Sequence, residues 1–163
     1  MPAEALYWVP GLGAYRLALM ARPRGGEWLR DEIRYWHNAH VKTVVSCLTK
    51  EEVSDLVLGE EPALCAEFGI RFRAFPIADR GTPTSGRDFA ILLHELQAAL
   101  ELGQGVAIHC RAGIGRSGLV AGCLLHKLGI PFAEIFPRLT QARGVVVPDT
   151  AAQIAWVRQF TEI

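Results

Sequence analysis

Neither sign of charge dominates this chain: lysine plus arginine and aspartate plus glutamate each number 17 in 163 residues. The composition therefore offers no uniformly basic face for nucleic acid or for anionic lipid. The four cysteines, Cys47, Cys65, Cys110 and Cys123, form no Cys-x-x-Cys pair and no metal-ligand spacing, which argues against zinc modules and dithiol redox motifs. The longest apolar runs, such as residues 119–125, fall far short of the ~20 residues that a membrane span requires. The start, MPAEALYWVPG, has no basic segment leading into an apolar one, so no export signal is expected. A reducing cytoplasm with free thiols is then the default location. No cofactor, metal, nucleic-acid partner or membrane partner is called for.

What is present is ordinary for a globular chain: 50% hydrophobic and 21% charged residues, at a length that fits one compact domain over 1–163. Apolar, β-branched stretches predict strands at 6–9, 15–19, 43–47, 71–77 and 106–109, the first two forming a hairpin across Pro10-Gly11. Helices are predicted at 27–39, 51–58, 61–68, 87–102, 117–128, 132–142 and 149–160, with Thr84 or Ser85 capping the fourth and Gly103 just beyond it. From residue 27 helices alternate with strands until the chain becomes purely helical. That order predicts an α/β fold, a central, largely parallel sheet of about five strands flanked by helices.

The segment Gly105-Val-Ala-Ile-His109-Cys110-Arg111-Ala112-Gly113-Ile114-Gly115-Arg116-Ser117-Gly118 carries the chemistry. A buried strand ends at His109, a glycine-containing loop follows, and an apolar helix starts near Arg116. The backbone N–H groups of Arg111, Ala112, Gly113, Ile114, Gly115 and Arg116 can then curl around one anion at a helix N-terminus. Cys110 stands at the base of that cradle, where the same groups and the helix dipole favour a thiolate. His109 orients the loop through backbone hydrogen bonds. Arg116 offers a planar fork to two phosphate oxygens, and Ser117 can donate to the sulfur as it departs. The alternative for a cysteine in such a place is a small buried hydrophobe.

His109-Cys110-Arg111-Ala112-Gly113-Ile114-Gly115-Arg116-Ser117 resembles HCxxGxxR(S/T), the signature loop of the protein-tyrosine phosphatase superfamily. The resemblance implies a cysteine phosphatase-like fold and a phosphorylated protein substrate. It also implies a loop that binds phosphate, or vanadate- and sulfate-like anions. Such chemistry needs an acid for the leaving oxygen. Asp79, in Phe75-Pro-Ile-Ala-Asp79-Arg80-Gly81-Thr82-Pro83, follows a predicted strand, and the family places its acid on such a loop roughly thirty residues upstream of the cysteine. A turn-forming Asp before Gly-Thr-Pro is the other reading of that residue.

The segments Pro76-Ile-Ala-Asp79 and Gly81-Thr-Pro83, the signature loop and the tail from Arg143 are together similar to the kinase-associated phosphatase branch of dual-specificity phosphatases, itself related to the cell-cycle Cdc14 phosphatases. The similarity runs over residues 40–162 and implies a shallow pocket that takes phosphoserine and phosphothreonine as well as phosphotyrosine. Relatives carry Gln-Thr-x-x-Gln near the last helix. Here the stretch reads Asp149-Thr150-Ala151-Ala152-Gln153, so Gln153 matches a water-positioning residue while Asp149 departs from the pattern, either with a changed role or as an N-cap after Pro148. Cys47 matches a cysteine that relatives sometimes carry behind the loop, which implies a reversible disulfide with oxidised Cys110; the other reading is a core residue. Neutral Ala112 and Ile114 tilt the loop away from inositol lipids. Phosphoinositide, RNA 5′-triphosphate and non-catalytic kinase-binding roles remain alternatives. Arg22 and Arg24 either reach substrate or line a solvated loop, and Arg80 and Arg143 can border the mouth. Cys65, Cys123, Trp8, Trp28, Trp36 and Trp156 are read as core, and His37, His40, His94 and His126 show no metal pattern.

Overall fold

A computed structural model describes residues 5–163; the N-terminal residues 1–4, on which the absence of an export signal was partly read, lie outside the described residues. Strands β1 (Tyr7–Trp8) and β2 (Arg16–Met20) form the expected antiparallel hairpin, Tyr7 opposite Leu19 and Trp8 opposite Ala18. A 3-10 turn (Gly26–Trp28) leads into α1 (Leu29–Asn38). There follow β3 (Val41–Ser46), α2 (Lys50–Asp55), α3 (Glu61–Glu67), β4 (Arg71–Ala74), α4 (Gly86–Glu101) and β5 (Gly105–His109). Three helices end the chain: α5 (Arg116–Lys127), α6 (Phe132–Arg143) and α7 (Ala151–Thr161).

The five strands lie in the order β1-β2-β5-β3-β4, parallel throughout except for β1. Strand β5 is central and every residue of it is buried, which is why Gly105-Val-Ala-Ile-His109 reads as continuous rather than alternating. Side chains two apart share a face. Leu17, Leu19, Val45, Val106 and Ile108 therefore meet Phe89, Leu92, Leu93 and Leu96 of α4 and the apolar residues of α5. Ala18, Met20, Val44 and Ala107 meet Leu29, Ile33 and Trp36 of α1 and Leu64 and Cys65 of α3 on the other face.

Helix α5 is wedged between sheet and outer helices, and every residue from Arg116 to Leu125 is buried. A helix apolar all round is one with neighbours all round. Close approach is bought with glycine here: a Cβ on Gly118 would lie 2.4 Å from Val147 Cγ1.

The structure corrects several sequence-based expectations. Strand β4 stops at Ala74, because Pro76 has no N–H for a ladder, although the amides of Phe75 and Ile77 still reach Ser46 O at 2.8 Å and Cys47 O at 3.0 Å. Helix α2 ends at Asp55, where Val57 takes a left-handed φ of 55°. Ser85, not Thr84, caps α4, accepting from the Asp88 amide at 3.2 Å. Thr150 rather than Asp149 caps α7, in a reciprocal capping box with Gln153. Trp28 is not core: it is 51% exposed beneath the Arg24 guanidinium, whereas Trp36 is fully buried.

Phe89 is fully buried where α4 meets α7, its ring 5.1 Å from Trp156 and 5.6 Å from Phe75. Phe89→Ala should cost ~3–5 kcal/mol in urea unfolding, whereas Trp28→Ala on the surface should stay within ~0.5 kcal/mol. Equal losses for the two would overturn this account of the core.

Candidate active site

A loop can aim its amides at one point only if its carbonyls point away and find donors of their own. Between β5 and α5 the first three carbonyls of the loop do so. The Cys110 carbonyl faces His109 Nδ1 at 3.3 Å, the Arg111 carbonyl accepts from the Arg22 amide at 3.2 Å, and the Ala112 carbonyl accepts from Arg143 Nη2 at 3.0 Å. Arg143 is held in turn over the Tyr7 ring, 4.2 Å from its centroid. Gly113 has φ +76°, and a Cβ there would stand 2.5 Å from the Met20 carbonyl, so this corner of the loop accepts only glycine.

The sulfur lies inside that ring. Cys110 is 3% exposed, with Sγ 3.3 Å from Ser117 Oγ. Burial alone would raise the thiol, but the hydroxyl and amide of Ser117 and the amides of Ile114 and Gly113 outweigh it and hold the Cys110 pKa below its ordinary value. The donors thus include Ser117 N–H, one residue beyond the 111–116 run read from the sequence.

Arg116, the first residue of α5, is 2% exposed and locked in place. Glu52 takes its fork bidentately, at 2.6 Å to Nη1 and 3.0 Å to Nη2, and the Ile77 carbonyl accepts from Nη1 at 2.9 Å. Nη1 also donates to the Cys47 carbonyl at 3.5 Å, so the guanidinium is held beside the ring from several sides. The bond from Arg116 pulls the Glu52 carboxyl down to about 2, against the opposing effect of burial. Glu52 also stands 3.5 Å from Arg111 Nη1 and forms a capping box with Thr49 at the start of α2.

Asp79 lies on the loop after β4 with its side chain 68% exposed, Oδ1 3.4 Å from Arg116 Nη2. That loop is fastened to α7: Gln153 Nε2 donates to Gly81 O at 3.2 Å, while its Oε1 accepts from the amides of Asp149 and Thr150. Asp149 comes to the same place, since a Cβ on Gly115 would lie 2.5 Å from its Oδ2 and 3.1 Å from Gln153 Nε2. Cys47, at the end of β3, is fully buried; its amide donates to His109 O at 2.9 Å. Burial, and then the neighbouring Cys110, push its thiol well above the ordinary value. Arg24 turns away to Glu32, and Cys65 and Cys123 are raised by burial to about 12 and upward respectively.

Two acids at the site were not singled out from the sequence. Glu52 had a signal, the Thr49-Lys50-Glu51-Glu52 capping box. Glu61 had none. It is 1% exposed at the start of α3, its Oε2 2.7 Å from His109 Nε2. Burial disfavours the charged imidazole, but Glu61, and after it the Cys110 carbonyl and sulfur, raise the His109 pKa above its ordinary value.

Known proteins resemble this chain in sequence and in fold. A family model described as "Tc-R-P: Polymorphic toxin system, DSP-PTPase phosphatase" matches residues 18–129. The cyclin-dependent kinase inhibitor 3 of Rattus norvegicus is 32% identical over 124 residues, 75% of this chain and 58% of that protein. Its Homo sapiens counterpart is 33% identical over 116 residues, 70% of this chain and 54% of that protein. The chain thus spans little more than half the length of these relatives. Among solved structures, kinase associated phosphatase with its catalytic-site cysteine substituted by serine aligns at a TM-score of 0.89 and 25% identity, over 99% of this chain and 96% of that one. Tk-PTP in its active form aligns at 0.75 and 22% identity, over 96% of each, a likeness of fold. The family match runs from β2 through the loop into the segment after α5, and with these relatives it establishes that the chain belongs to the dual-specificity phosphatases of the protein-tyrosine phosphatase superfamily.

Proposed function

We propose that this chain hydrolyses phosphate monoesters on protein side chains, phosphotyrosine and also phosphoserine and phosphothreonine, through a cysteinyl-phosphate. The observation that carries this reading is an acidified thiol, Cys110, set in a ring of amides beside an arginine whose fork is already fixed by Glu52. The Cys110 thiolate attacks phosphorus in line, forming the S–P bond as the P–O bond to the side chain breaks. Asp79, beside Arg116 at the open edge of the site, gives its proton to the leaving oxygen. Water then attacks the cysteinyl-phosphate, Asp79 takes its proton, and the sulfur leaves as thiolate with the Ser117 hydroxyl donating to it. The loop amides, from Arg111 to Arg116, and the Arg116 guanidinium hold the equatorial oxygens in both steps. His109 fastens the loop, Gln153 and Asp149 border the second step, and no metal takes part. Cys47 would form a protective disulfide, with loss of water, should Cys110 be oxidised to its sulfenic acid; its burial and its exposure to the Cys110 charge support this reading. A cytoplasmic location and a single domain over 1–163 complete the reading. Among the described residues no helix is long and apolar enough to cross a membrane. A kinase-bound substrate is the first to try, since two relatives carry a kinase in their names.

Hydrolysis of para-nitrophenyl phosphate should resist EDTA, yield to vanadate and vanish in Cys110→Ser; turnover persisting in that variant would sink the proposal. Asp79→Asn should lower kcat on phosphotyrosine peptide by ~10²–10⁴-fold and flatten the basic limb of the rate profile, and an unchanged profile would remove Asp79 from the acid's place. Glu52 has a folded pKa of about 2 against an ordinary 4.5, so its contribution to stability is present above pH 4.5 and lost as pH falls toward 2. Denaturant unfolding of wild type and Glu52→Gln should therefore differ at pH 6 and converge at low pH; a constant gap would refute the linkage.

A further inference from the structure

Behind the loop, on the side away from the open edge, the structure holds a buried acid that the mechanism above does not use. We infer that Glu61 is a positioning residue for the nucleophile: it holds His109 as an imidazolium whose second N–H is aimed at the Cys110 carbonyl, and so helps keep the sulfur as thiolate. This inference rests on the reading of Cys110 as the nucleophile.

The geometry is a chain of three groups. Glu61 Oε2 is 2.7 Å from His109 Nε2, and His109 Nδ1 is 3.3 Å from the Cys110 carbonyl. A carbonyl only accepts, so Nδ1 carries a hydrogen; an ionised carboxylate only accepts, so Nε2 carries the other. Both side chains are excluded from solvent, His109 at 0% and Glu61 at 1% exposure. A carboxylate so placed needs a cation, and His109 is the cation within reach. The short contact is of the charge-assisted kind. The direction of the His109 shift agrees: it is raised against burial, with Glu61 the largest of the groups that raise it.

The described neighbours that these contacts name on that side are uncharged. From α1 the Trp36 ring faces the imidazole at 6.3 Å, from α3 Cys65 lies close enough to feel Glu61, and from β3 the Cys47 amide occupies the His109 carbonyl. Arg116, Glu52, Arg111 and Asp79 gather at the other side of Cys110. The thiolate thus has a guanidinium before it and an imidazolium behind it. Without the carboxylate, only the Cys110 carbonyl and the sulfur would be left to oppose burial, and the second of these charges would be weakened.

Two measurements test the inference. In the wild-type protein, side-chain 15N NMR of His109 should show both ring nitrogens protonated at pH 7.5, where an ordinary histidine is neutral; a neutral ring there overturns it, whether or not any variant folds. In Glu61→Gln, which preserves size and a hydrogen-bond acceptor, the pH dependence of Cys110 alkylation by iodoacetamide should move upward by about one unit, a roughly tenfold slower reaction on the acid side. A folded Glu61→Gln protein, by circular dichroism, whose alkylation profile coincides with wild type overturns the inference. Cys110→Ser provides the separate control: if it does not abolish the fast alkylation, the reading of Cys110 itself fails, independently of Glu61.

Discussion

The structure depends on burying a thiol while favouring its ionisation, against the usual effect of an apolar interior. An ionised group excluded from water must receive from the protein what the solvent gave it. Here the return comes from backbone: amides of the loop and of the first turn of α5 converge on Cys110, joined by the Ser117 hydroxyl. Backbone donors of this kind are fixed by the fold and need no reorganisation to meet a negative charge in their midst.

An inward ring of donors requires an outward ring of acceptors, and much of the surrounding fold serves that second ring. Arg22, just past β2, Arg143, at the end of α6, and His109, at the end of β5, each attend to one carbonyl. These groups come from both sides of the central strand. Positioning them takes the parallel sheet, which brings the ends of β2, β3 and β5 to one edge, and it takes α6, which ends with Arg143 over the Tyr7 ring. The glycines at 113 and 118 let backbone and neighbouring chain approach where a side chain would hold them apart.

The legibility of these parts in the sequence follows the distance over which each is determined. The loop could be read because its cysteine, glycines and arginine lie within seven consecutive residues, Cys110 to Arg116, and their job is local. The strands and helices could be read for a similar reason, with errors where a residue's neighbours decide: Pro76 ended β4, and Thr150 took the cap that Asp149 could also have supplied. Glu52 and Glu61 escaped because their partners lie 64 and 48 residues away, and an acid in the first turn of a helix looks the same whether it faces water or a buried cation. Asp79 falls between these cases. Its loop position was legible, but its placement 3.4 Å from Arg116 depends on how β4 and α5 pack across β3 and β5.

The Gln153 side chain has a consequence for how the molecule tolerates being shortened or extended. One end of its amide closes the first turn of α7 and the other grips the Gly81 carbonyl, two residues from Asp79. The last helix is therefore a clasp on a segment far earlier in the chain, as well as a cover for Phe89 and its aromatic neighbours. Trimming the chain before Ala151 would release the segment around Asp79 along with the helix. A fusion attached after Thr161 leaves the clasp in place.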